Sequence, residues 1–176
     1  MTIEVREYDP SWPELAASVC AEVDAALPGV FLAIEHIGST SVPGLAAKPI
    51  IDIMAAVTSL EQVASREAAV AALGFERFET GMSDRLFYRR PVTEPRTHHL
   101  HVVTTDTWNT RNERILRDYL LAHPDAAERY GALKKTLADD VDDPDTYTRA
   151  KTDLIQELVD AARAERGLPS VPVWEA

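Results

Sequence analysis

The chain has 176 residues, of which 45% are hydrophobic and 27% charged, and its formal net charge is -11. This length suits one domain with a sizeable core, and the composition argues against a disordered chain. The negative charge disfavours binding to a nucleic-acid backbone, which needs clustered Lys and Arg, so we expect no nucleic-acid partner. The single cysteine, Cys20, excludes an intramolecular disulfide.

The chain also lacks the signals of export and membrane insertion. Its first 15 residues contain no basic segment followed by an apolar core, as a secretory signal would. No apolar run approaches the roughly 20 residues of a membrane helix. We therefore expect a cytoplasmic protein without a membrane partner, while the oligomeric state is not predicted.

The N-terminal third predicts a helix followed by two strands. Residues 11–27 have Ser11 at the cap and Pro13 in the first turn. The apolar residues that recur at helical spacing, and so predict the buried face, are Leu15, Val19, Val23 and Leu27. Residues 30–37 are typical of a strand, and residues 38–49 of a turn with about one turn of helix. Residues 50–57 form a continuous apolar run, which predicts a strand covered on both faces.

Further strands and then helices follow. Residues 60–73 predict one helix, and three closely spaced strands are expected around residues 75–80, 85–91 and 98–104. Helices are then expected over 107–122, from Pro124 and from Asp143-Pro144. Because the later strands lie too close together for helical crossovers, the class is α+β, with a mixed sheet flanked by helices. We predict one domain over residues 1–165 and a tail over 166–176.

The first candidate site is the bend at Gly38-Ser39-Thr40. A glycine after a strand lets the backbone turn sharply and lets an anion approach closely, and hydroxyl residues follow it. Exposed amide groups at such a place can bind phosphate. The alternative is an ordinary capped turn, since Ser and Thr are common caps.

Asp52 is the second candidate because it stands inside the apolar run 50–57. A carboxylate in a buried strand is costly unless it is paired, hydrogen-bonded or bound to a metal. Strand alternation places Asp52 and Met54 on one face and Ile51 and Ile53 on the other. Such a residue belongs either to a site or to a buried ion pair.

The third candidate is the histidine pair His99 and His101, which share one face of a strand. Two adjacent imidazoles can bind a metal or polarise a phosphate, although a polar strand face without a ligand has the same pattern. His36, two residues before Gly38, is a further site candidate. The predicted catalytic residues and metal ligands are Asp52, His99 and His101.

Basic residues are concentrated in the middle of the chain. Residues 81–120 carry seven basic and five acidic side chains, whereas residues 1–60 carry two basic and eight acidic ones. Arginines facing one cleft would attract a small anion, although a solvated face of mixed charge has the same composition. The candidate phosphate-binding cations are Lys48, Arg85 and Arg89, and Lys151 is a further candidate for the site.

Together these motifs resemble a known family. The segment EHIGSTSVPGLAAKPIIDI, residues 35–53, closely resembles the signature of GrpB-like proteins, and the likeness extends from Tyr8 to about residue 160. It includes HHLHVV at 98–103, Arg117-Asp118-Tyr119-Leu120, His123-Pro124, Tyr130, Leu133-Lys134, Tyr147 and Lys151.

This family is placed with the DNA polymerase beta-type nucleotidyltransferases, and the resemblance implies their fold. It implies that Gly38 and Ser39 hold a nucleotide's terminal phosphates and that Asp52 holds a divalent metal. The chain departs from the pattern at Met54, where a second carboxylate is expected, and at the later strand, which presents histidines in place of an acid. One aspartate with two histidines suits Mn, Fe, Ni or Zn better than Mg, or no metal. GrpB-like domains also occur fused to dephospho-CoA kinase, which suggests nucleotide or coenzyme A-related ligands.

Three functions remain open at this point. The first is a nucleotidyl- or phosphoryl-transferase that uses a nucleoside triphosphate and a small acceptor, with a divalent metal such as Mg or Mn, or less readily Zn or Fe. The second is a catalytically inactive module that binds a nucleotide or phosphorylated metabolite. The third is another metal-dependent chemistry at the Asp/His cluster.

Overall fold

The computed structural model describes residues 4–140 and 143–173. Five strands form one sheet in the order β1-β2-β5-β4-β3, in which β2 and β5 are parallel and the other neighbours antiparallel. The predicted mixed sheet and α+β class are therefore confirmed. The strands are β1 Ala33–Ile37, β2 Ile51–Val57, β3 Glu76–Arg77, β4 Leu86–Arg90 and β5 His98–Thr104.

Helices flank this sheet and make up most of the C-terminal third. They are α1 Trp12–Ala26, α2 Glu61–Ala64, α3 Glu67–Ala71, α4 Asn112–Ala122, α5 Pro124–Asp140 and α6 Pro144–Glu165, with 3-10 turns at Ser39–Ser41 and Thr105–Thr110. The single helix predicted over 60–73 is wrong, because the backbone leaves the helical region at Arg66, where φ is -134°. In the described part of the chain, no helix is both long and apolar enough to span a bilayer.

One face of the sheet carries the main hydrophobic core. Val19 and Val23 of α1 pack there against Ile53, Leu100 and Val102, and all five side chains are at most 1% exposed. One expectation for α1 is wrong, because Leu15 is exposed instead of packing with Val19 and Val23. Ser11 is the N-cap residue, as predicted, but its side chain makes no capping bond, since its hydroxyl donates to Asp9.

The other face of the sheet carries the polar candidates and lies under α4. A second apolar cluster joins the bend after β1 to the C-terminal helices, through Val42, Leu45, Tyr130 and Leu158. This cluster positions α5 and α6 beside the bend. Residues 174–176 of the predicted tail lie outside the described residues, and the preceding ones run back along α6, where Gln156 bonds the backbone of Val171 and Val173.

Candidate functional site

A cavity of about 390 Å³ lies between the polar face of the sheet, the bend after β1 and helices α4 to α6. All the predicted site residues except His36 line it, so the structure brings together parts of the chain that are far apart in sequence. Their chemical roles remain predictions. The predicted residues in its wall are Gly38, Ser39, Thr40, Lys48, Asp52, Arg85, Arg89, His99, His101 and Lys151.

The bend places Gly38 directly against Asp52. Ile37 pairs with Asp52 across the antiparallel β1–β2 ladder, and Gly38 then turns with φ of 75°, a conformation that favours glycine. A Cβ atom at Gly38 would lie 2.7 Å from Asp52 Oδ2, which is closer than a real Cβ can approach. The glycine is therefore required both by the turn and by the carboxylate behind it.

His36 does not join the cavity. Strand alternation directs its side chain to the face opposite Ile37 and Asp52, and its Nε2 lies 2.8 Å from Thr40 Oγ1. The same Thr40 hydroxyl donates to the carbonyl oxygen of Ile50. We therefore correct two expectations: His36 supports the bend from behind, and the Thr40 hydroxyl anchors the bend instead of facing a ligand.

Asp52 contacts both predicted histidines through one oxygen. Its Oδ1 lies 3.2 Å from His99 Nδ1 and 3.5 Å from His101 Nε2, and 26% of the Asp52 side chain is exposed. Burial opposes the charged carboxylate, but the two imidazoles outweigh burial and hold the pKa of Asp52 well below its ordinary value. Asp52 is therefore an anion throughout the neutral range.

Arg85 distinguishes the two histidines. Its NH1 lies 3.2 Å from His101 Nδ1, and because a guanidinium has only donors, this nitrogen accepts. The proton of the neutral His101 ring then sits on Nε2, facing Asp52, so both ring nitrogens are engaged. In His99 the carboxylate favours the proton on Nδ1, and within residues 4–140 and 143–173 its Nε2 has no hydrogen-bond partner.

The predicted phosphate-binding arginines have other partners. Arg85 is 8% exposed, and its NH1 donates to Glu113 at 2.7 Å while its Nε donates to Asp84 at 3.3 Å. Burial favours the protonated form of Glu113, but Arg85 outweighs it and lowers the pKa of that carboxyl. Arg89 lies over the ring of Phe78, with 3.5 Å between its Cζ and the ring centroid.

Lys134 is a cavity residue that the site prediction missed. It is 5% exposed, lies on α5 and donates to the Ser39 hydroxyl. Lys48 and Lys151 line the same cavity, 5.0 and 5.6 Å from the ring centroid of Tyr147. A sequence signal existed, because Lys134 stands four residues after Tyr130 and therefore beside it on the inward face of a helix.

The donor set does not fit the metal centre that the fold implies. In the described residues, no group of three or more His, Cys, Asp and Glu side chains is arranged to hold a metal ion. The expected second carboxylate is Met54, which is fully buried against Ile37 and Val103. The ring nitrogens of His99 and His101 that face Asp52 carry protons when they donate to its carboxylate. They therefore have no lone pair with which to bind a metal ion shared with Asp52. A divalent ion at Asp52 remains a prediction.

Comparison with solved structures identifies the fold. A chain in the structure of the GLD-2/RNP-8 complex has a TM-score of 0.52 at 12% identity, and the match covers 95% of this chain and 64% of that one. The sheet and its flanking helices have the nucleotidyltransferase fold. The crystal structure of GrpB from Enterococcus faecalis is much more similar, with a TM-score of 0.84, 35% identity and coverage of 93% of this chain and 99% of that one.

The family model for GrpB protein matches residues 2–161, and the chain belongs to the GrpB family. UPF0157 protein YqkA of Bacillus subtilis is 33% identical and UPF0157 protein PA4798 of Pseudomonas aeruginosa is 35% identical. These matches cover 92% and 96% of this chain. They cover 47% and 71% of the two relatives, so the chain spans about half the length of the first.

Proposed function

We propose that the cavity binds a phosphorylated small molecule, with a nucleoside triphosphate as the first candidate, and transfers its nucleotidyl or phosphoryl group to a small acceptor. One observation carries this proposal: the Ser39–Lys134 pair and the Asp52–His99 pair line the same cavity. A phosphate-binding end and a proton acceptor beside it are what such a transfer requires. The nucleotidyltransferase fold supports the same proposed function.

Ser39 and Lys134 bind the phosphate oxygens in this proposal. The hydroxyl and the ammonium group are both donors that can turn from each other to an anion. Lys48 and Lys151 add positive charge to the same cavity, which matters in a chain of net charge -11. Arg85 serves instead to hold His101, because its guanidinium is committed to Glu113, Asp84 and the imidazole.

His99 is the general base of the proposed transfer. Asp52 accepts from Nδ1 and orients the ring, which leaves the Nε2 lone pair for the hydroxyl of the acceptor. The hydroxyl proton passes to Nε2 as the acceptor oxygen bonds to phosphorus. The bond from phosphorus to the leaving phosphate oxygen breaks in the same displacement, and the leaving group departs with its electron pair.

A binding module without catalysis is the second candidate, and Met54 favours it. The side chain at this position is apolar and fully buried, so the second carboxylate of two-metal transfer is missing. The two candidates share the phosphate-binding end. They differ in turnover, and a bound ligand that stays chemically intact with every acceptor supports the module.

Thermal-shift measurements on wild type and two lysine variants test the binding part. Lys134→Met removes the cation beside Ser39, and Lys135→Met is the matched control, because Lys135 is exposed and paired with Glu7. We expect a nucleoside triphosphate, added with and without Mg or Mn, to raise the Tm of wild type and Lys135→Met. An equal rise in Lys134→Met would contradict the proposed phosphate site.

The same thermal-shift measurement on Asp52→Asn tests whether a divalent ion links Asp52 to the bound phosphates. If a divalent ion links Asp52 to the phosphates, the variant loses only the metal-dependent part of the stabilisation. If no ion links them, the variant binds at least as well as wild type, because a negative charge beside the phosphates has been removed.

A further inference from the structure

The far wall of the cavity carries an aromatic side chain that the proposed transfer does not use. Phe78 follows β3 directly, and its backbone amide donates to Phe87 of β4. Its side chain lines the cavity and is 43% exposed. An exposed aromatic residue is common on protein surfaces. What distinguishes Phe78 is its position in a cavity wall and the guanidinium of Arg89, stacked 3.5 Å from its ring centroid.

The strand order separates this pair from the phosphate-binding end. Ser39 follows β1 at one edge of the sheet, and Phe78 follows β3 at the other edge. Asp52 on β2 and His99 on β5 line the cavity between them. Four strand spacings separate the two edges, or about 19 Å at the usual spacing between neighbouring strands. The cavity therefore extends across the sheet from a cationic end to an aromatic end.

We propose that Phe78 and Arg89 form a subsite in which a planar aromatic ring of the phosphorylated ligand stacks, as a nucleobase would. This inference rests on the proposed function and specifies its substrate class: a phosphorylated compound with a planar ring at its other end. A stacked guanidinium and phenyl ring present flat surfaces of low hydration, and bases stack readily on both types of group.

This assignment also gives Arg89 a role different from phosphate binding. A guanidinium lying on an aromatic ring keeps its N–H groups in its own plane, pointing outward from the stack. Those donors therefore lie around the rim of the stack and leave its flat face to the ligand ring. Stacking is tolerant of the kind of base, so this subsite selects for a planar ring and not for one particular base.

Calorimetric titration of the full chain separates the two ends of the cavity. The probes are the four common ribonucleoside triphosphates and inorganic tripolyphosphate, each with magnesium. The tightest-binding triphosphate is then carried through the variants. We expect Phe78→Ala to weaken its binding roughly tenfold and to leave tripolyphosphate binding unchanged, since stacking contributes about that much per base.

Two further variants serve as controls. Phe78→Tyr keeps the ring and is expected to bind the triphosphate like wild type. Leu121→Ala removes another exposed hydrophobic side chain, on α4 and outside the cavity wall, and is expected to change neither affinity.

The outcomes distinguish this inference from the proposed function. Equal triphosphate affinity in Phe78→Ala and wild type, with binding lost in Lys134→Met, overturns the stacking subsite and leaves the phosphate site standing. If Phe78→Ala weakens the binding of the triphosphate and of tripolyphosphate equally, the stacking subsite is overturned too. The substitution then affects binding by disturbing the fold. If wild type binds neither probe, the proposed function fails and the subsite fails with it.

Discussion

His98 and His99 are neighbours in the chain, yet they lie on opposite faces of the sheet and in opposite environments. His98 lies on the face of the main core, near Arg90, where burial and that guanidinium lower its pKa to about 4. His99 lies on the polar face, with its Nδ1 3.2 Å from the Asp52 carboxylate. One face disfavours an imidazolium, and the other provides an anion beside the ring.

The same division runs through β2. Ile53 is fully buried in the main core, whereas Asp52, one residue earlier, opens into the cavity. A strand with period two can therefore serve stability and chemistry at once, because successive side chains reach different faces. Substitutions on each face test whether the two faces are as separate as this alternation implies.

The largest expected effect is on the core face. Ile53→Ala leaves a cavity among fully buried neighbours, and we expect it to lower the free energy of unfolding by about 2–5 kcal/mol. Met54→Leu, a change of similar volume on the opposite face, is expected to cost less than about 1.5 kcal/mol. Urea unfolding measures both. A loss in Ile53→Ala no larger than that in Met54→Leu would contradict the assignment of the core.

His98 makes the core face sensitive to acid. Because its native pKa lies near 4 and its ordinary value is 6.5, the unfolded chain binds the proton first as the pH falls. Stability from this group is complete above pH 6.5 and decreases toward pH 4, by an amount on the order of 3 kcal/mol. The Asp52 pKa is lowered instead, so its contribution is lost only below about pH 4.

The variant His98→Gln separates the contribution of His98 to the pH dependence of stability from that of the other groups. We expect the variant to lose less stability than wild type between pH 6.5 and 4.5 in denaturant unfolding, with both proteins losing stability alike below pH 4. Parallel losses over the whole range would show that His98 is not the group responsible.

The contact between Gly38 and Asp52 links the bend to the polar face. Gly38→Ala adds a Cβ at 2.7 Å from Asp52 Oδ2 and places alanine at a positive φ. We expect a loss of about 1–3 kcal/mol in stability together with weaker triphosphate binding. Gly29→Ala is the matched control: its φ is 79°, but a Cβ there meets nothing within 4 Å. Its loss should be smaller and its ligand affinity unchanged, and equal effects would argue against the clash.

The smallest expected effect is on the chemical reactivity of His99 and His101, and it involves no change in stability. Diethyl pyrocarbonate modifies an imidazole nitrogen with an available lone pair. We expect His99 to react first, through Nε2, because both nitrogens of His101 are engaged. Tandem mass spectrometry locates the label, and Arg85→Met should release His101 to react. Faster labelling of His101 than of His99 in wild type would reverse the proposed roles.

Sequence patterns predicted the parts of the site that depend on local rules. The cost of a charge in an apolar strand identified Asp52, and period two placed His99 and His101 together. The same period, applied to β1, would have moved His36 to the opposite face from Ile37 and Asp52. For Lys134, the spacing from Tyr130 indicated only the inward face of a helix and not the contact with Ser39. Its meeting with Ser39 depends on the packing of α5 against the bend, through contacts such as Tyr130 with Val42 and Leu45, and no local pattern encodes this long-range arrangement.

Nuclear magnetic resonance of the labelled chain, titrated with the tightest-binding nucleoside triphosphate, tests the central claim most directly. If the cavity is the binding site, the largest shifts fall on the amides of Gly38 and Ser39, the Lys134 side chain and the His99 ring. Large shifts confined to the groove between α5 and α6, around Arg129 and Glu157, with Ser39 and His99 unmoved, would contradict it.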